Sequence, residues 1–213
     1  MTKRKKGIVQ VIVIIVIIVF ANYVHSNYII KIEKKNLNSR KYGIIDDALY
    51  SKRKDVIYLN SVYDEQESFS HGEELCDFIR DNYKNYSIFY YNAEINGEIN
   101  SKGILNGLDK LESMGVKRIN ISLSSKIYSD DIQNWVTNHA DIAVYASYNN
   151  KMNSYDYPVM YDGVIASGVS GEVVDFKKND VKYKTKKIIS AFSLKLYSGN
   201  SYLSLISMLE DKH

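Results

Sequence analysis

The chain has 213 residues, 45% of them hydrophobic and 25% charged, which excludes a disordered protein and suits one globular domain with a sizeable core plus a tail. Its formal net charge of +3 rests on Lys3, Arg4, Lys5 and Lys6; the rest carries 24 basic against 25 acidic residues, which removes the bulk electrostatic case for nucleic acid as a partner. A single cysteine, Cys76, excludes an internal disulfide and any multi-cysteine metal site, and the four histidines, at 25, 71, 139 and 213, show no paired metal-ligand spacing.

Residues 1–6 form a basic tail expected to stay cytoplasmic. Residues 7–24, "GIVQVIVIIVIIVFANYV", contain no charge, and only Gln10 and Asn22 are clearly polar. A segment apolar on every face belongs in a membrane, and about 18 residues lies near the lower limit for a spanning helix. With the basic cluster inside, everything after Val24 is placed outside the cell. Two readings follow: a retained single-pass signal anchor in the cell membrane, which the continuation of the apolar run past Ala21 favours, or a secreted protein after signal-peptide cleavage near Val19-Phe20-Ala21. Residues 25–40 are polar and basic and read as a stalk, leaving 41–213 as the exported domain.

Within that domain "YGIID" reads as a buried strand with Asp46 at its carboxyl end, and "DVIYLNSVY" as a second. "HGEELCDFIRDNY" has Leu75, Phe78 and Ile79 at helical spacing, with Glu73 and Glu74 in the first turn where the helix dipole favours acids. "SIFYYNAEI" is a strand by its aromatic and β-branched content. "SKGILNGLDKLESMG" puts Ile104, Leu105, Leu108, Leu111 and Met114 on one helical face and stops at Gly115. "RINISLS" is a strand, "SDDIQNWVTNH" a helix capped at Ser129, and "IAVYAS" and "GVIASGVS" are two more strands. The final "YSGNSYLSLISML" reads as an amphipathic helix entered through a glycine turn, with Ser and Asn as preferred caps and Leu205, Ile206 and Leu209 on the core face.

Short apolar strands alternating with helices predict an α/β domain of three layers, a mostly parallel sheet flanked by helices. Ligands gather at the carboxyl ends of such strands, which singles out Asp46 and Asn149. Taken singly, Asp46 is also a solvated loop acid, His71 a surface histidine at a helix start, Asn149 a turn residue and Ser201 a helix cap.

The order Asp46, His71, Asn149, Ser201 along one α/β chain resembles that of the subtilisin-type serine protease family. "YGIIDDAL" is similar to the strand bearing that family's catalytic aspartate, and "SHGEELCDFI" to its His-Gly-Thr-His helix start. "ILNGLDKLESMGVKRINISLS" resembles the helix before the substrate-binding Ser-Leu-Gly strand, and "IAVYASYNN" the strand ending in Ala-Gly-Asn. "YPVMYDGVIASGVS" and "SGNSYLSLISML" complete six matches in order over Tyr42 to Leu209.

The resemblance implies a subtilisin-like fold, with Ser201 as nucleophile, His71 as general base and acid, Asp46 orienting His71, and Asn149 as oxyanion donor. It implies that Ser122, Leu123 and Ser124 hold an extended peptide by strand addition. The partner is then a peptide or protein substrate; no cofactor follows from the residues, and calcium is suggested by the family resemblance alone.

The departures are as informative. Asp46-Asp47-Ala48 stands where the family has Asp-Thr-Gly, Glu73 and Glu74 replace Thr and the second His, Tyr148 replaces the glycine before Asn149, and Tyr202 follows Ser201. Two function classes remain: a membrane-anchored serine endopeptidase acting through an acyl-enzyme, and a non-catalytic relative that binds peptides in the same groove.

Overall fold

In the computed structural model the residues described are 14–16, 29–32, 35–50, 52–60, 70–149, 156–169, 181–183, 187–190 and 196–211. The strands are β1 (Ile29–Ile32), β2 (Lys35–Asp46), β3 (Val56–Tyr58), β4 (Tyr83–Asn92), β5 (Glu94–Ile95), β6 (Glu98–Ile99), β7 (Arg118–Ile121), β8 (Ala143–Ser147), β9 (Ile165–Val169), β10 (Val181–Tyr183), β11 (Lys187–Ser190) and β12 (Leu196–Ser198). The helices are α1 (His71–Asn82), α2 (Ser101–Ser113), α3 (Asp130–Asn138) and α4 (Asn200–Glu210). Seven strands form one sheet in the order β10-β9-β8-β7-β2-β4-β3, and every neighbouring pair is parallel. A three-stranded sheet, β1-β11-β12, and the small β5–β6 hairpin stand apart from it.

The expected three layers follow from strand alternation. On β2, Gly43 and Ile45 lie against Leu111 and Gly107 of α2, so Tyr42, Ile44 and Asp46 point to the opposite face. That face is covered by α4, which packs over β7, β8 and β9 and touches α1, while α2 and α3 pack together on the other. Tyr42, Ile44, Ile45, Leu108, Leu111, Ile119, Ile121, Val144, Leu203 and Leu205 are fully buried between these layers. Of the face read on α2, Ile104, Leu108 and Leu111 are buried and Leu105 half-buried, while Met114 lies at the exposed end.

Two sequence expectations need correction or restriction. Residues 35–40, read as stalk, are strand: Lys35, Asn36 and Arg40 pair with Tyr83, Lys84 and Tyr86 of β4, and Leu37 is buried. Their polarity misled because this end of β2 is interrupted by a bulge, with Asn38 and Ser39 at φ 54° and 59°, which breaks the apolar alternation a regular strand displays. The predicted membrane segment, 7–24, lies outside the described residues except for helical Ile14–Val16, and among the described residues no helix is long and apolar enough to cross a membrane.

Candidate active site

Asp46 ends β2 at the carboxyl edge of the sheet and is fully buried. Both of its carboxylate oxygens lie 3.0 Å from Nδ1 of His71, and Oδ1 also accepts the Asp47 backbone N–H at 2.9 Å. A buried carboxylate needs such donors, since burial without them costs several kcal/mol. His71 opens α1, behind a capping box in which the Ser70 hydroxyl accepts from the Glu73 N–H and the Glu73 carboxylate from the Ser70 N–H.

Asp47 is not idle. Its carboxylate accepts the backbone N–H groups of His71 at 3.1 Å and Gly72 at 2.9 Å, so it clamps the first turn of α1 onto the end of β2. Gly72 permits that approach: a Cβ there would lie 1.7 Å from the Tyr90 hydroxyl, which itself donates to the Asp47 carbonyl at 2.8 Å. Burial disfavours the charged imidazolium of His71, but the hydrogen bond and charge of Asp46, with the charges of Asp47 and Glu74, outweigh it and raise its pKa to about 9. Burial and the Asp46 charge push the Asp47 carboxyl up, partly opposed by its two backbone donors.

The facing wall is the chain leaving β7. The Asn120 amide donates to the Ser122 hydroxyl at 2.7 Å, and the Ser204 hydroxyl of α4 lies 2.7 Å from Asn120 Oδ1 and 3.0 Å from the Ser201 carbonyl. This buried chain of polar groups joins the Ser201 turn to the Ser122–Ser124 segment.

Ser147, Tyr148 and Asn149 leave β8. The Asn200 amide donates to the carbonyls of Tyr148 at 3.1 Å and Asn149 at 3.0 Å, seating the start of α4 on them. The Asn149 amide donates to the carboxylate of Asp156, which is 4% exposed. The helix start itself departs from the capped turn expected: its N-cap is Gly199, at φ 124°, with no side-chain cap hydrogen bond, and Ser201 follows in the first turn. Only glycine enters a helix comfortably from that backbone region.

All seven residues singled out from the sequence line one cleft of about 340 Å³: Asp46, His71, Ser122, Leu123, Ser124, Asn149 and Ser201, together with Asp47, Ile99, Ser147 and Tyr148. A larger cavity, about 560 Å³, sits at the opposite end of β7 and β8 among Lys117, Arg118, Asp141 and Asp162, away from the Asp46–His71 pair. Asn200 and Asp156 were not found by sequence reasoning, and of Asp47 only its charge beside His71 was read, not its hold on the start of α1. Asp47 was visible as a doubled acid, whereas the roles of Asn200 and Asp156 depend on distances that no local pattern encodes. Among the described residues no group of three His, Cys, Asp or Glu side chains is placed to hold a metal ion.

No protein-family model matches the chain, and no curated protein matches its sequence. Solved structures do. Patellamide maturation protease PatA superposes with a TM-score of 0.56 at 14% identity, covering 83% of this chain and 76% of that one. A cold-adapted subtilisin-like serine proteinase gives 0.57 at 14% identity over 79% and 72%. The psychrophilic subtilisin-like protease Apa1 from the Antarctic psychrotroph Pseudoalteromonas sp. AS-11 gives 0.52 at 20% identity over 61% of this chain, which spans only 36% of Apa1. The parallel sheet, its flanking helices and the cleft at its carboxyl edge thus have the subtilisin-like fold.

Proposed function

We propose that this chain is a subtilisin-like serine endopeptidase, held in the cell membrane by residues 7–24 with its domain outside, that hydrolyses peptide bonds of an exported peptide or a surface protein. The observation that carries this reading is the buried Asp46 carboxylate on Nδ1 of His71 in the same cleft as Ser201 and Asn149.

In this reading an extended peptide lies along Ser122–Ser124, and Ser201 Oγ attacks its carbonyl carbon while His71 Nε2 takes the hydroxyl proton. Asp46 holds the imidazolium that results. The oxyanion is met by the Asn149 amide, whose plane Asp156 fixes, and by the Ser201 N–H at the uncapped start of α4. His71 then protonates the departing amine, the C–N bond breaks, and water repeats the sequence on the acyl-Ser201 ester to release the acid and restore the hydroxyl. A maturation protease among the structural neighbours favours cleavage of a peptide precursor over bulk digestion.

The engagement of Asn149 by Asp156 favours the second reading, a peptide-binding relative without turnover. Labelling with a serine-directed fluorophosphonate separates the two. Wild type is expected to label and Ser201→Ala to be inert, with a loss of peptidase kcat on the order of 10⁴–10⁶-fold. Equal absence of label in both would overturn the peptidase reading.

A further inference from the structure

Two helices begin at the cleft, α1 at His71 and α4 at Asn200, and each is fastened to its own strands: α1 to β2 through Asp47, α4 to the ends of β7 and β8 through Ser204 and Asn200. Those ties leave the relative setting of the two helices to the sheet between them. A direct bond also joins them. The hydroxyl of Tyr202, the residue after Ser201, donates to Oε2 of Glu74 at 2.9 Å, and the Tyr202 ring lies 5.3 Å from that of Phe78 at a tilt of 54°.

Tyr202 is 4% exposed and Glu74 is exposed, so the bond runs from the buried edge of the nucleophile turn to the outer side of the histidine helix. Glu74 and Phe78 are successive members of one i, i+4 row on α1, so Tyr202 touches that row at two heights. One point of contact would leave the helices free to pivot about it. The ring contact and the hydroxyl together remove that rotation, and the hydrogen bond to a carboxylate is of the stronger, charge-assisted kind.

Resting on the peptidase reading above, we propose that Tyr202 and Glu74 are a positioning pair that sets Ser201 against His71 and so governs the rate of acylation rather than peptide binding. Both residues are departures from the motifs the sequence otherwise resembles, Glu74 standing for the second His and Tyr202 following Ser201, and the fold brings the two departures into contact. Glu74 has a second effect, since its charge is one of those acting on His71; Asp46 and Asp47 at the end of β2 are the others, and α4 brings the Ser201 and Tyr202 hydroxyls.

Two conservative variants separate position from charge. Tyr202→Phe keeps the ring on Phe78 and removes the donor; Glu74→Gln keeps an acceptor oxygen and removes the charge. In the full-length protein, Tyr202→Phe is expected to lower the fluorophosphonate labelling rate on the order of 10-fold, with KM for a peptide substrate and the midpoint of the pH–rate profile unchanged. Glu74→Gln, which weakens the bond without removing the acceptor, is expected to lower the labelling rate at alkaline pH by less than Tyr202→Phe does, with its ascending limb displaced to lower pH. A wild type that labels and a Tyr202→Phe variant that labels equally fast would overturn the pair alone, as would a slower variant whose KM rises in proportion. An unlabelled wild type would overturn the peptidase reading and the pair's role with it.

Discussion

The two helix starts that flank the cleft are built in opposite ways. α1 is closed: Ser70 and Glu73 form a capping box, two acids occupy its first turn, and Asp47 accepts the N–H groups of His71 and Gly72. α4 is open, with a glycine N-cap, no side-chain cap bond and no acid in its first turn. α1 is amphipathic, packing Leu75, Phe78 and Ile79 into the core with its other face partly exposed, whereas α4 is buried from Tyr202 to Leu209. A helix secured by burial depends less on a cap, and in the proposed reading its uncapped leading N–H groups are the ones offered to the oxyanion. In the proposed reaction the closed start fixes the base and the open one meets the developing negative charge.

The sharpest way to break this contrast is Asn149→Ala. If the open start of α4 and the Asn149 amide share the oxyanion, kcat falls by about 10²–10³-fold with little change in KM. Asp156→Ala is expected to cost less, and to cost nothing further in the Asn149→Ala background, because it acts through that amide. Next in size is Asn200→Ala, which removes two buried hydrogen bonds that seat α4; urea denaturation should show a loss of about 2–3 kcal/mol. The same size of effect is not expected from any single cap contact on α1.

The pH dependence comes third. His71 in the folded chain titrates at about 9, above its ordinary 6.5, so its pairing with Asp46 stabilises the fold fully below 6.5 and is lost as pH rises through about 9. The urea midpoint of wild type should therefore fall across that window, and that of His71→Gln should not. Over the same window kcat/KM should rise, because only the neutral imidazole can accept the Ser201 proton. The smallest effect belongs to Ser70→Ala, about 1 kcal/mol of stability with an unchanged labelling rate, since Asp47 still holds the helix start.

Much of the fold was legible because its elements are locally consistent. The helix read from "HGEELCDFIRDNY" runs from His71 to Asn82, that from "SKGILNGLDKLESMG" from Ser101 to Ser113, and Ser129 caps the third as its position suggests. Seven of the residues that line the cleft were legible too, because each lies at or just beyond a strand end or a helix start, where chain order and turn chemistry leave a mark. What escaped the reading was pairing at long range. The Asn200 side chain reaches residues 52 and 51 positions earlier, Tyr202 reaches one 128 positions earlier, and neither contact has a periodicity. The polar first half of β2 escaped for a different reason: its bulge removes the alternation by which a strand is recognised.

Strand β2, an interior strand of the sheet, comes early in the chain, and α4 is the last of the described helices. Asp46 and Ser201 are therefore brought together only when the chain has been made and threaded through to α4. A polypeptide emerging from its amino-terminal end contains both members of the Asp46–His71 pair long before it contains Ser201. In the proposed reading, a chain clipped before α4 keeps Asp46 and His71 and lacks Ser201, the residue they are to activate.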